Sequence, residues 1–210
     1  MVEASMEVGN SRSSEAAVLA AAEDVFVRRG YDGARMQEIA DVAGINKAML
    51  HYYFRSKERL FQQVFRSILD RTLPPLVEAL GSELPLGVKI RHFVNGYIDS
   101  LDSSPALPSF ILSELNRDRS SFDAFIRDKA SVIPPVLQRQ IDEAVASGRI
   151  RPIGAEELVA VLLSLCIFPY VARPFLEPLC GMDDEAFRAF LAGRKSFITS
   201  FAFSALRPGV

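Results

Sequence analysis

The stretch that constrains this chain most is Met36 to Phe54, where two short helical patterns flank a single glycine. Met36, Ile39, Ala40 and Ala43 fall at i, i+3, i+4 and i+7, the spacing of one buried stripe on an α-helix. Gly44 ends that helix, because the sharp turn needs a residue that tolerates the left-handed conformation. Ile45 then returns to the core, and Asn46, a good N-cap, opens a second helix that runs to about Phe54. Leu50 and Phe54 lie one turn apart and face inward, which leaves Ala48, His51, Tyr52 and Arg55 on an outward face. The pattern is that of a helix-turn-helix, and it points to DNA.

The chemistry of the outward face suits a major groove. Ala48 is small enough to let the helix approach base edges and touch a thymine methyl, and Lys47 can donate to guanine O6 or N7. His51, Tyr52 and Tyr53 supply donors for phosphate oxygens, although in so short a helix Met49, Tyr52 and Tyr53 could equally be packing residues. Ser56 caps the following helix, so free backbone N–H groups and Lys57 meet at a helix N-terminus, which favours a phosphate. The expected DNA contacts are Arg35, Met36, Gln37, Asn46, Lys47, Ala48, Met49, His51, Tyr52, Tyr53 and Lys57.

Phe26, Gly30-Tyr31, Ile39-Ala40, Ala43-Gly44-Ile45, Leu50, Tyr52-Tyr53-Phe54 and Lys57-Glu58 together resemble the DNA-binding signature of the tetracycline-repressor (TetR) family over about residues 14 to 61. One departure is that members usually carry Thr or Ser where this chain has Ala34 and Arg35, so a hydroxyl cap and phosphate contact is replaced by a charged side chain. The resemblance implies an all-α protein. Its N-terminal three-helix helix-turn-helix domain is linked through a long helix to a C-terminal helical ligand-binding and dimerisation domain.

The rest of the chain reads as helical throughout, without repeats or alternating strand patterns. Residues 1–12 are expected to form a flexible arm, 13–56 the DNA-binding domain and 57–210 the regulatory domain. A first helix from about Ser14 to Arg29 buries Val18, Leu19, Ala22, Val25 and Phe26. A fourth, after Ser56, has Leu60, Phe61, Val64, Phe65, Ile68 and Leu69 on its apolar side and is expected to kink or end near Pro74-Pro75. It connects the reading head to the remainder and is the natural lever. Further helices are expected at about 86–102, 107–117, 121–132, 135–147, 155–172 and 183–206, with Pro174 to Gly181 as a divider.

The net charge of −2 excludes a protein that coats DNA unselectively. Basic charge is instead local, with Lys47, Arg55, Lys57, Arg59, Arg66 and Arg71 set against only Glu58 and Asp70. No apolar run reaches the roughly 18 to 20 residues of a bilayer span, so a cytoplasmic protein with no membrane partner is expected. Cys166 and Cys180 lack metal-ligand or disulfide-framework spacing, and Cys166 reads as a small buried hydrophobe. The sequence contains no Gly-rich phosphate loop, metal-ligand cluster or nucleophile motif, so no cofactor and no catalytic role are expected.

The segments around 155–172 and 183–206 are apolar on nearly every side and need a cover, which a second copy of the chain would supply through Leu162, Leu165, Phe190, Phe197, Ile198 and Phe201. A homodimer would read two successive major grooves of a near-palindromic operator, with recognition helices about 34 to 36 Å apart. His92, Phe93, Tyr97, Phe110, Ile111, Glu114, Phe125 and Phe168 offer apolar walls with a few polar groups, either as plain core or as a pocket for an unknown small effector. Glu114 would want a cationic or hydrogen-bonding ligand group there, or would pair with Arg117. The expected function is a ligand-responsive DNA-binding regulator, most simply a repressor, with a dimeric regulator that takes no small ligand as the alternative.

Overall fold

A computed structural model describes residues 2–117, 123, 127 and 133–208. Among these residues every regular element is an α-helix, as the 3.6-residue periodicity predicts. The helices are α1 (Val2–Gly33), α2 (Met36–Ala43), α3 (Lys47–Phe54), α4 (Lys57–Gly81), α5 (Leu86–Ser103), α6 (Leu107–Arg117), α7 (Ile133–Ala146), α8 (Ala155–Val171), α9 (Arg173–Cys180), α10 (Asp184–Ala192) and α11 (Arg194–Leu206). The expected helix at 121–132 lies outside the described residues apart from 123 and 127.

The chain divides into two compact units, Met1–Arg71 and Thr72–Val210. In the first, Val18, Ala22, Val25 and Phe26 of α1 are buried together with Ile39, Ala40, Leu50, Phe54, Leu60, Phe61, Val64 and Ile68. The division was expected after residue 56 and falls fifteen residues later (71 − 56), because the first part of α4 is held to α1. The Phe61 ring stands edge-on to Phe26 at 5.0 Å and to Tyr31 at 4.9 Å, and Arg71 Nη2 reaches Glu23 Oε1 at 2.6 Å. Helix α1 is itself longer than expected, starting at Val2 where an arm through residue 12 was anticipated. Its interruption at Gly30 (φ 68°, ψ 175°) is where the sequence placed its end.

Two expectations about helix ends are corrected, and of the kink or end expected at Pro74-Pro75 the end does not occur. Helix α4 continues through Pro74-Pro75 to Gly81. These prolines deprive the Asp70 and Arg71 carbonyls of their i+4 donors, but residues 70, 71, 74 and 75 are all exposed, so water can serve those oxygens. The Pro174 to Gly181 divider is instead helix α9, with Pro174 in the first turn, where a missing N–H is harmless, and left-handed Gly181 (φ 63°) as the stop. The single final helix is two. Asp183 Oδ1 caps α10 by accepting from Glu185 N and Ala186 N, and Gly193 separates α10 from α11.

In the second unit α5, α7, α8 and α11 enclose one core that includes Ile90, Phe93, Val94, Tyr97, Leu137, Ile141, Leu158, Leu162, Cys166, Ile198 and Ala202. Helix α8 is apolar nearly all round, and no single helix among the described residues is long and apolar enough to cross a membrane. Cys166 is fully buried, and burial pushes its thiol up to about 12, whereas Cys180 is exposed.

Pro169 lies inside α8 and has no N–H to offer the carbonyl of Leu165 one turn earlier. Arg194, at the first position of α11, supplies the missing donor: its Nη2 reaches Leu165 O at 2.5 Å. The guanidinium lies over the rings of Phe190 and Phe197, at 5.3 and 5.2 Å from their centroids. Burial lowers the Arg194 pKa from its ordinary value, and its Nε has no hydrogen-bond partner. One proline in α8 thus explains one buried arginine in α11. Arg194→Met should destabilise the protein by about 1–3 kcal/mol, since it leaves the part-buried Leu165 carbonyl without its donor. In a Pro169→Ala background, which restores the helical N–H, the same change should be milder by about 0.5 kcal/mol or more. Urea unfolding of the four variants checks this, and equal losses in both backgrounds would contradict it.

Candidate nucleic-acid interface

The geometry of the first unit begins at Gly44. Its φ of 68° and ψ of 26° are left-handed, and the turn closes through Gly44 N–H to Asp41 O at 3.2 Å and Ile45 N–H to Ala40 O at 3.0 Å. Asn46 then accepts from Met49 N at 2.8 Å through its side-chain oxygen and starts α3. With Leu50 and Phe54 buried beneath, Lys47, Ala48, Met49, His51, Tyr52 and Arg55 are all exposed. Tyr52 is 82% exposed, too open for a core ring, and only the edge of Tyr53 lies near it, with centroids 5.6 Å apart. Tyr53 is half-buried between Tyr52 and Phe54 and so belongs partly to the packing.

At the start of α2, Arg35 has the extended backbone of an N-cap (φ −118°) but makes no side-chain cap bond, consistent with the loss of a hydroxyl at this point. Arg35 is exposed, Gln37 donates to Asp41 Oδ1 at 2.8 Å, and Met36 is half-buried. Ser56 Oγ accepts from Arg59 N at 3.2 Å and caps α4 as its sequence position predicts. Lys57 is more engaged than expected. Its Nζ donates to Asp32 O at 3.3 Å and sits 4.6 Å from the Tyr31 ring centroid, which fixes the ammonium at the surface with donors to spare.

Sequence reasoning missed the turn between α3 and α4. Arg55 has φ 55° and ψ −40°, and Ser56 N–H reaches Phe54 O at 2.5 Å, a γ-turn centred on a residue other than glycine. Such a backbone costs on the order of 1–3 kcal/mol and persists only where its surroundings hold it. Beside this turn is a cleft of about 340 Å³ lined by Tyr53, Phe54, Arg55, Arg59, Gln62, Gln63 and Arg66. The signal available in the sequence was the i, i+4, i+11 spacing of the three arginines on a cationic stretch.

Of the residues expected to form a pocket in the second unit, Phe93, Tyr97, Phe110 and Glu114 are buried and Ile111 is half-buried. His92 is exposed and Phe168 is 54% exposed, so neither faces an interior cavity, and Phe125 lies outside the described residues. Glu114 already has a partner, Arg117 Nε at 2.5 Å on the same helix. Tyr97 and Tyr170 are both pushed up by burial, and Tyr170 donates its hydroxyl to Asp102. Lys89 was not anticipated. It is fully buried with no hydrogen-bond partner for Nζ, and desolvation holds its pKa below the usual value. A separate cleft of about 270 Å³ has mostly apolar walls, among them Leu86, Ile90, Ile150, Phe203 and Leu206, together with Arg149 and Arg207.

Of the expected interface residues, Leu162 and Ile198 are wholly buried within the chain's own core and cannot offer surface to a partner. Leu165 and Phe190 are half-buried, whereas Phe197 and Phe201 are 51% and 49% exposed and stacked at 5.9 Å.

Residues 18–64 match the sequence profile of the bacterial regulatory proteins of the tetR family. The chain is 32% identical over 174 residues to the HTH-type transcriptional regulator RutR of Escherichia coli O157:H7, an alignment that covers 81% of each protein. A bacterial regulatory protein of the tetR family from Rhodococcus RHA1 has the same fold, with TM-score 0.67 and 20% identity over 94% of this chain and 98% of that one. FadR from Bacillus subtilis, solved in complex with stearoyl-CoA, superposes with TM-score 0.62 and 15% identity over 92% of this chain and 100% of its own.

The exposed ring of Tyr52 and the cap at Asn46 separate groove chemistry from packing. Tyr52→Ala should change stability by no more than about 0.5 kcal/mol, because little is buried. Asn46→Ala should cost about 1 kcal/mol through the lost cap. Denaturant midpoints check both; a Tyr52→Ala loss as large as that of Asn46→Ala would mean that the ring is structural.

Proposed function

The chain belongs to the tetracycline-repressor family of bacterial regulatory proteins and is a DNA-binding transcriptional regulator; from that premise we propose a dimeric repressor that leaves a near-palindromic operator when a small apolar or amphipathic molecule binds its second unit. The observation that carries the reading is the face of α3. Lys47, Ala48, His51 and Tyr52 are all exposed while Leu50 and Phe54 anchor the helix from behind. In this reading Lys47 donates to a guanine edge, Ala48 contacts a thymine methyl, and His51, Tyr52, Tyr53 and Lys57 hold phosphates. Arg35, Gln37 and Asn46 contact the flanking backbone, and Met36 and Met49 fill apolar gaps at the rim.

Two copies would join through the stacked, half-exposed rings of Phe197 and Phe201, with Phe190 and Leu165 beside them. That supports two-fold pairing, because adjacent open phenylalanines on one helix face are poorly placed in water. The effector would act through α4, whose residues 57–71 belong to the first unit and 72–81 to the second. A ligand that prefers the non-binding spacing weakens the DNA complex about tenfold for each 1.4 kcal/mol or so of preference. The largely apolar cleft with Arg149 and Arg207 supports an effector with an apolar body and an acidic head, a chemistry in keeping with the stearoyl-CoA bound to FadR. No covalent step is needed, and the protein acts in the cytoplasm with the DNA it reads.

Phe201→Glu tests the pairing without touching the reading head. Sedimentation should show the wild type as a dimer and the variant as a monomer, and fluorescence anisotropy should show operator affinity falling by at least about tenfold as the second half-site contact is lost. A variant that stays dimeric with unchanged affinity would contradict this interface.

A further inference from the structure

Three arginines line the cleft beside the end of α3 and the start of α4. Arg55 sits in the γ-turn, and Arg59 and Arg66 follow on one stripe of α4, with Gln62 and Gln63 between them. No carboxylate lines the cleft. The other arginines of the first unit are mostly paired: Arg28 with Asp24 at 2.6 Å, Arg29 with Glu38 at 3.4 Å and Arg71 with Glu23 at 2.6 Å. Arg66 reaches Asp70 only at 3.9 Å. Among the described residues the side chains of Arg55 and Arg59 make no hydrogen bond or ion pair at all.

Like charges gathered around a concavity repel one another unless an anion fills it. A guanidinium offers five N–H donors in a flat fork, and such forks match the oxygens of a phosphate two at a time. Tyr53 and Gln63 also line it and carry neutral donors, whereas the Gln62 amide already donates to Glu58 Oε1 at 3.1 Å. The volume, about 340 Å³, exceeds one phosphate and leaves room for part of the molecule that bears it.

We propose that the Arg55–Arg59–Arg66 cleft is a phosphate-binding site, separate from the Lys57 ammonium, which is fixed to Asp32 O and Tyr31. The phosphate has two available sources. One is the DNA backbone beyond the bases that α3 reads, since Arg55 ends the same face that carries His51 and Tyr52. The other is a free phosphorylated molecule, which would make the cleft a second effector site. The charge and concavity stand whether or not the chain acts as a repressor.

The test uses the full chain and three exposed substitutions, Arg59→Gln, Arg66→Gln and, as a charge-matched control outside the cleft, Arg28→Gln. Inorganic pyrophosphate is titrated calorimetrically, and binding to an arbitrary 30-base-pair duplex is followed by anisotropy across a salt series. If the backbone fills the cleft, each cleft substitution lowers the slope of log affinity against log salt by about 0.9, the control leaves it unchanged, and pyrophosphate does not bind. If a free ligand fills it, pyrophosphate binds at one site per chain, both cleft substitutions weaken it at least tenfold, and the duplex slope is unchanged. If pyrophosphate fails to bind and the cleft and control substitutions alter the slope equally or not at all, the proposal is overturned. A chain that binds no duplex would sink the DNA reading, and the pyrophosphate titration would then decide the cleft alone.

Discussion

The left-handed turn at Gly44 is the constraint on which the first unit depends. A side chain there would have to hold φ near 68°, a conformation that glycine adopts without strain and other residues adopt at some cost. Because the turn closes in a single residue, the Ile45 amide can bond back to Ala40 and α3 starts at once under the Asn46 cap. Leu50 and Phe54 then reach the core formed by α1 and α4, and the opposite side of an eight-residue helix is committed to the exterior. The polar face is thus a product of how the apolar one is anchored. Its chemistry, small at Ala48 and donor-rich around it, follows from the same register.

The second unit is organised around a different problem, how to keep polar groups satisfied inside an apolar bundle. Pro169 breaks the hydrogen-bond ladder of α8, and Arg194 repairs it from another helix while its charge lies over the rings of Phe190 and Phe197. Prolines 74 and 75 in α4 create the same deficit at the surface, where water is available and no partner is required. Burial therefore decides which prolines demand an arginine. Lys89 is the opposite case, a buried ammonium with no hydrogen bond, and nothing in the structure explains why it is there.

Much of the DNA-reading unit was legible because its signals are local. The Ile39-Ala40 stripe, Gly44, Asn46 and Ser56 each act within one turn of chain, and each does in the structure what its spacing implies. The γ-turn at Arg55 was not legible, since arginine carries no preference for positive φ and the strain is imposed by the elements on either side. Helix ends in the second unit were misread where a proline could be either a stop or a first-turn residue: Pro174 lies in the first turn of α9, and α4 runs on through Pro74-Pro75. Burial of Leu162 and Ile198 could not be separated from burial by a partner, because a helix apolar all round looks the same in either setting. His92 and Phe168 were drawn toward a pocket by neighbouring aromatics, yet the helical register turns both outward.

The most direct measurement is selection of the purified full-length protein against a randomised duplex pool, with sequencing of what survives washing at moderate salt. If the face of α3 reads bases in a two-fold dimer, the survivors share an inverted repeat whose half-site centres lie about one helical turn apart, near 34 to 36 Å. Survivors with no common sequence from a folded protein would contradict the account, because charge alone would then explain its hold on DNA.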